Sequence, residues 1–423
     1  MEEKFVISGG KSLRGTISVR GAKNATFPIL AATLLTKDPC VVSNIPLIED
    51  VFKMINILEE LGAEVSWLGE RKIRIKCAKV DPKKIPNKIV GCFRGSILVA
   101  GPLLSRFHKL KMLPPGGCLI GARPLDTHFD AFSQLGVKTT SEGKLFNFER
   151  KSKEEKNREV VLREFSVTAT ENTLLLSSCL SSKTVIKIAD EDYQVQELCK
   201  VLKKMGVKIK GEGSHVLEII GSKRLKGFNY SVISDPIEAG TFIVAALATK
   251  GEVLIKNAQL AFLSLFLKRL KDFGANFKIM GKDSIKILPS NRLRMDKIQS
   301  LPYPGINTDL QPELGVLATQ TKGPTLIHDP LYEGRLKYLE ELNKMGADII
   351  FCDPHRAIVN GPTSLRGIEV PSPDLRAGAA LIIAGLVARG KTTIYNIYQI
   401  DRGYEKIEER LQKLGADIKR VKI

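Results

Sequence analysis

The stretch Arg335-Leu336-Lys337-Tyr338-Leu339-Glu340-Glu341-Leu342-Asn343-Lys344-Met345-Gly346-Ala347 decides how this chain is put together. Leu336, Leu339, Leu342 and Met345 fall three residues apart, the spacing of one helix face. Gly346 stands where such a helix ends on a left-handed residue, a conformation glycine adopts without a Cβ penalty. The same close, an apolar residue then Gly then a small residue, appears at Leu61-Gly62-Ala63, Leu135-Gly136-Val137, Met205-Gly206-Val207, Phe273-Gly274-Ala275 and Leu414-Gly415-Ala416, so the chain carries it six times at separations of about 70 residues. That period is about twice the common solenoid repeats, which makes each copy a small subdomain.

Working outward, each copy holds a second helix upstream, as at 241–249 and 377–388. These are apolar nearly all round, so they are expected to be the more buried of each pair. Strand-like runs follow both helices, as in Val253-Leu254-Ile255, Thr393-Ile394-Tyr395 and Ala63-Glu64-Val65-Ser66-Trp67. The expected fold class is α/β, with six similar helix and strand units in two groups of three. One lobe is expected at 23–231, the other at 232–423, with 1–22 joining the second through strands in residues 4–20. Two lobes joined by two crossings make a hinge, and clefts of that kind favour ligands.

Composition narrows the function. The 423 residues carry 43% apolar and 26% charged side chains, a soluble globular balance. A net charge of +19 points to an anionic partner. Nucleic acid and phosphorylated small substrates both satisfy it, but Lys and Arg are scattered, aromatics are sparse and no nucleic-acid-binding signature is present. The seven cysteines are odd in number with no CxxC, which argues against a disulfide framework or structural zinc and for reduced thiols in a cytoplasm. The N-terminus lacks the pattern of a signal peptide. The longest apolar run, 377–388, is too short for a membrane span, which needs roughly 20 residues.

Four places carry chemistry. Gly21-Ala22-Lys23-Asn24 opens an apolar helix, where free backbone N–H groups, the helix dipole and Lys23 together suit an anion; an ordinary solvated lysine is the competing reading. The loop Leu113-Pro114-Pro115-Gly116-Gly117-Cys118-Leu119-Ile120-Gly121-Ala122-Arg123-Pro124-Leu125-Asp126 presents a thiol beside Arg123, a setting that exposes Cys118 and favours its thiolate. Ser372-Pro373-Asp374-Leu375-Arg376 and Ile400-Asp401-Arg402-Gly403-Tyr404-Glu405 each set an acid just before an arginine. Such an acid either orients the guanidinium toward phosphate or carboxylate or forms a plain surface ion pair. Gly9-Gly10-Lys11-Ser12 fails as a P-loop because Phe5 stands where a glycine is needed. No GxGxxG opens a helix, and the five histidines show no metal-ligand spacing.

With GAKN, PGGCxIGARPxD, PDLRA and IDRGYE in this order, the chain resembles the bacterial UDP-N-acetylglucosamine 1-carboxyvinyltransferases of the EPSP synthase family from end to end. The resemblance implies a two-lobed inside-out α/β barrel whose lobes close over the substrates phosphoenolpyruvate and UDP-N-acetylglucosamine in the first committed step of peptidoglycan synthesis. It implies no metal, no organic cofactor, no nucleic acid and no membrane; the oligomeric state stays open. Carried over, Lys23, Arg123 and Arg402 hold the phosphate of phosphoenolpyruvate, and Arg335 and Arg376 its carboxylate. Asn24 is carried over to the substrate site, and Arg94, Arg123, Pro124, Leu125, Asp126, Ser166, Val167, Asp309 and Leu331 to the UDP-sugar. Glu191 and Glu238 fall in stretches matching active-site acids. Cys118 is the expected general acid, with Asp309 placed by the sugar 3-hydroxyl and Lys23 and Arg402 assisting.

Five positions depart from the family pattern: Leu98, Glu164, Thr168, Asp190 and Gln399 replace Trp, Lys, Gly, Arg and His. Glu164 reverses a charge expected beside the UDP diphosphate, with Arg163 the nearest candidate substitute. A paralogue acting on another nucleotide sugar, the related shikimate-pathway transferase, and a silent UDP-sugar-binding regulator are the alternatives. The cysteine loop argues against the second, and the retained catalytic set against the third.

Overall fold

The computed structural model describes residues 3–118, 120–151 and 157–423. Met1-Glu2 of the N-terminus and Leu119 of the cysteine loop lie outside the described residues. The chain forms two compact units, one of Gly21–Cys118 and Arg123–Ile233, the other of Met1–Arg20, Leu119–Ala122 and Ser234–Ile423. Against the boundaries expected from sequence, the crossings lie at Arg20/Gly21 and Ile233/Ser234, and a short piece of the cysteine loop is counted with the second unit.

In the first unit three helices form the centre: α1 (Lys23–Ala32), α2 (Ala100–Phe107) and α3 (Val167–Ser177). Three sheets surround them. Their strand orders are Asn229–Ser231, Cys40–Ser43, Lys72–Lys76, Glu64–Gly69; then Lys109–Met112, Leu145–Arg150, Val137–Glu142; then Lys208–Lys210, Val216–Ile220, Lys183–Lys187, Arg158–Val161. The second unit repeats the plan around α4 (Pro236–Ala248), α5 (Gln311–Ala318) and α6 (Leu375–Val387). All thirteen residues of α4 are buried, as the unbroken apolar surface of that segment requires. The N-terminal strands complete this unit: Glu3–Ser8 lies antiparallel between Lys391–Tyr395 and Asp417–Lys422, and Arg14–Ser18 runs parallel to Glu252–Lys256.

Helices are thus central and sheets peripheral, one sheet per sequence repeat. The repeated glycines close the outer helices. Gly62, Gly136, Gly206, Gly274, Gly346 and Gly415 all have φ between +84 and +105°. After five of them the next amide reaches back to a carbonyl five residues earlier, as Ala347 N to Leu342 O at 3.0 Å, which satisfies the last turn. No helix among the described residues is long and apolar enough to cross a membrane.

The second repeat breaks the pattern. In each of the other five a strand precedes the central helix and pairs in parallel with a sheet, as Lys297–Gln299 does with Gly323–His328; the strands before α1 and α4 are exchanged, Arg14–Ser18 joining the sheet of the fourth repeat and Asn229–Ser231 that of the first. Before α2 stand the short helical turns Pro82–Lys84, Asn87–Val90 and Arg94–Val99 in place of a strand, and the sheet has three strands.

Candidate active site

In the first unit, Lys23 opens α1, whose N-cap Ala22 supplies no side-chain cap. Lys23 is not a solvated lysine. It is 8% exposed and its Nζ lies 2.9 Å from Asp50 Oδ2, itself on the first turn of the helix Glu49–Glu60. Nothing in the local sequence marked Asp50 as its partner; an acid at a helix start is common without one.

The cysteine loop lies against the turn Asn87–Val90 that stands before α2. Leu113 N donates to Asn87 Oδ1 at 2.8 Å, and Gly116 packs so closely that a Cβ there would stand 1.9 Å from Gly91 O. Gly117 has φ +146°, and the Arg123 guanidinium passes 3.3 Å from where its Cβ would stand. Cys118 is half-buried. Arg94 braces the far end, donating to the carbonyls of Arg123 (2.6 Å) and Pro124 (2.9 Å). Leu125 is buried and Asp126 begins the helix Asp126–Gln134.

Ser166 caps α3 through Ala169 N, with Val167 the first helical residue. Glu164 is exposed and accepts from the Thr127 hydroxyl at 2.9 Å, while Arg163 pairs with Asp130 at 3.2 Å. Asp190 is buried, which raises its carboxyl; it accepts from Asp192 N and so shapes the turn before the helix Tyr193–Met205. Glu191 lies 3.8 Å from His215 Nε2. Leu98 is part of the core.

In the second unit, Asp309 bridges two arginines. Its Oδ1 meets Arg335 Nη2 at 3.0 Å and its Oδ2 meets Arg376 Nη2 at 3.1 Å. Both arginine side chains are 3% exposed. Burial works against the charge of Arg335, yet Asp309, Asp374 and Asp329 more than offset it and raise the group above its ordinary range. Arg335 Nε also donates to Thr308, whose hydroxyl bonds Asp329. Asp329 accepts from the amides of Leu331 and Tyr332, which sets the turn that presents Leu331.

Two sequence expectations need correction here. Asp374 does not orient the Arg376 guanidinium from two residues away. It caps α6 through the amides of Arg376 and Ala377, because a side chain at that position points back at the free N–H groups of the first turn. Asp401 forks onto Arg420 at 2.6 and 2.9 Å, while Arg402 Nη1 meets Gln399 Oε1 at 2.8 Å. Glu238 pairs with Arg410 at 2.7 Å and accepts from Arg20 N, closing the start of α4.

Behind Arg376 sits a group that sequence reasoning missed. Glu313 on α5 is fully buried and accepts from the hydroxyls of Thr241 and Tyr404, each at 3.1 Å. Burial pushes its carboxyl up to about 7, against the pull of Arg376. The Arg376 guanidinium lies over the Tyr404 ring at 5.3 Å. A glutamate in a helix is ordinarily solvated, so nothing in the sequence signalled this one.

The sequence profile of EPSP synthase (3-phosphoshikimate 1-carboxyvinyltransferase) matches residues 7–411. The chain belongs to the EPSP synthase family. Among curated relatives of this EPSP synthase family member, the UDP-N-acetylglucosamine 1-carboxyvinyltransferase of Treponema denticola is 39% identical, over 98% of each chain. The enzyme of the same name from Coxiella burnetii is 40% identical over 99% of this chain and 96% of its own. The enolpyruvyl transferase NikO from Streptomyces tendae shares the fold at TM-score 0.89 and 24% identity, covering 99% of both chains. EPSP synthase from Acinetobacter baumannii does so at 0.76 and 19%, covering 99% of this chain and 100% of its own. The protein is an enolpyruvyl (carboxyvinyl) transferase.

Proposed function

We propose that this transferase moves the enolpyruvyl group of phosphoenolpyruvate onto the 3-hydroxyl of UDP-N-acetylglucosamine, releasing phosphate, as the first committed step of peptidoglycan synthesis in the cytoplasm. The observation that carries the assignment of roles is the Asp309 bridge. Arg335 and Arg376, nearly buried, already hold a carboxylate between them. That is the arrangement a carboxylate substrate requires, since paired guanidinium groups give charge-assisted bonds in fixed geometry.

In this reading Arg335 and Arg376 take the carboxylate of phosphoenolpyruvate, and Lys23, Arg123 and Arg402 its phosphate, with Asn24 beside them. The Cys118 thiol gives its proton to the methylene carbon, leaving an oxocarbenium-like centre. The sugar oxygen adds to that centre as Asp309 takes or steers its proton. The Cys118 thiolate then recovers a proton from the new methyl group as the carbon–oxygen bond to phosphate breaks, restoring the double bond. Fixed cations stabilise the departing phosphate more strongly away from water than in it. Arg94, Pro124, Leu125, Asp126, Ser166, Val167 and Leu331 line the UDP-sugar.

Phosphate release from phosphoenolpyruvate, measured with UDP-N-acetylglucosamine, with shikimate 3-phosphate and with neither, tests this. Release that requires the UDP-sugar supports it. Release without it, or none, redirects the assignment to another acceptor. Cys118→Ala is expected to abolish most turnover and keep nucleotide-sugar binding, whereas Cys118→Asp, still a proton donor, is expected to be milder. Full activity of Cys118→Ala would remove the thiol from the acid role.

A further inference from the structure

A one-way chain of hydrogen bonds runs through the core of the first unit to a single hydroxyl. Gly101 N donates to Asn172 Oδ1 at 2.9 Å, and Asn172 Nδ2 donates to Ile97 O at 3.0 Å. These two backbone partners fix which end of the amide is which. The same Nδ2 therefore donates to His128 Nδ1, 3.2 Å away, so the imidazole carries its proton on Nε2. Nε2 in turn faces Thr168 Oγ1 at 3.0 Å, where the threonine must accept.

Asn172 is 0% exposed and His128 2%. Burial first, and Arg94 second, push the imidazole down to about 3, so it stays neutral. Thr168 is half-exposed, one residue past Val167 at the start of α3. On the same helix Thr170 and Thr173 donate to carbonyls four residues back. The Thr168 proton has no acceptor among the described residues.

We propose that Thr168, its hydroxyl turned by His128 and Asn172, is a specificity-determining donor to the diphosphate of the nucleotide sugar. The inference rests on the UDP-sugar reading of Ser166 and Val167 given above. A phosphate oxygen is the matching acceptor here. It is anionic, it suits a helix start, and it takes the one proton that the bond from His128 leaves pointing away. His128 acts through Thr168 as a positioning residue.

Binding of UDP and of uridine to the intact protein by calorimetry tests this, together with the KM for each substrate. Thr168→Val removes the donor at nearly constant shape. It is expected to weaken UDP about tenfold, leave uridine unchanged, and raise KM for the UDP-sugar with kcat and KM for phosphoenolpyruvate held. Thr168→Ser is expected to restore UDP binding. UDP affinity within twofold of the parent in the folded Thr168→Val protein overturns the proposal, as does an equal loss for uridine. Because the readout is binding, UDP binding without phosphate release would discard the reaction and leave this contact standing. No UDP binding by the parent would discard both.

Discussion

The second and fifth repeats share one plan and differ in the strand that leads into the central helix. The fifth keeps its leading strand, Lys297–Gln299, and a four-stranded sheet. Its paired charges, Asp309 and Arg335, sit on short helical turns, Thr308–Leu310 and Arg335–Lys337, that regular elements hold in place. The second has no such strand, and the cysteine loop lies against the turn Asn87–Val90 that stands there. A regular unit supplies charges at fixed positions. An irregular one supplies a thiol, Cys118, on a loop, where backbone close approach does the holding.

The comparison can be broken most severely at Asp309. Asp309→Asn keeps the shape but removes the base and half of the bridge. A fall in kcat of about 10²–10⁴ is expected, with nucleotide-sugar binding retained; an unchanged kcat would leave Asp309 with no role in proton transfer. Next comes a paired alanine test. Gly116→Ala places a Cβ 1.9 Å from Gly91 O, so the loop must move, and a displacement near 1 Å costs about a hundredfold in rate. Gly346→Ala, at φ +97° in the fifth repeat, is expected to cost about 1 kcal/mol of stability through left-handed strain and leave kcat alone. Thermal unfolding and initial rates on both proteins decide it, and equal effects on rate would mean the two repeats do not differ as described.

A further test, read in stability alone, concerns Glu313. Its carboxyl is raised from 4.5 to about 7, so the folded protein holds a proton that the unfolded chain has released. Between those values the native state binds more protons, and this group's contribution to stability falls as pH rises. Glu313→Gln has no such dependence. Stability of the variant relative to the parent is expected to improve from pH 4.5 to pH 8 by an amount on the order of 3 kcal/mol. A relative stability that does not change with pH would place this carboxyl at an ordinary value.

The six-fold repeat was legible because Gly at a helix end and a run of Ala, Leu and Ile are local demands. The backbone needs a left-handed residue at one place, and an apolar surface needs burial at another. Apolar α4 and α6 declared themselves in this way. The central helix α3 did not, since the polar residues Thr170, Glu171, Asn172 and Thr173 are buried there, with Thr170 and Asn172 paired across the unit. The motifs marked candidate residues, and the resemblance supplied the roles proposed for them. Which carboxylate faces which cation was decided only in three dimensions. Asp50 holds Lys23, Asp309 holds Arg335 and Arg376, and Arg420 takes Asp401 away from its neighbour in sequence. The physical reason is range: helix caps and apolar faces are set by residues a few positions apart, whereas buried charges must find partners wherever packing brings them, however distant along the chain.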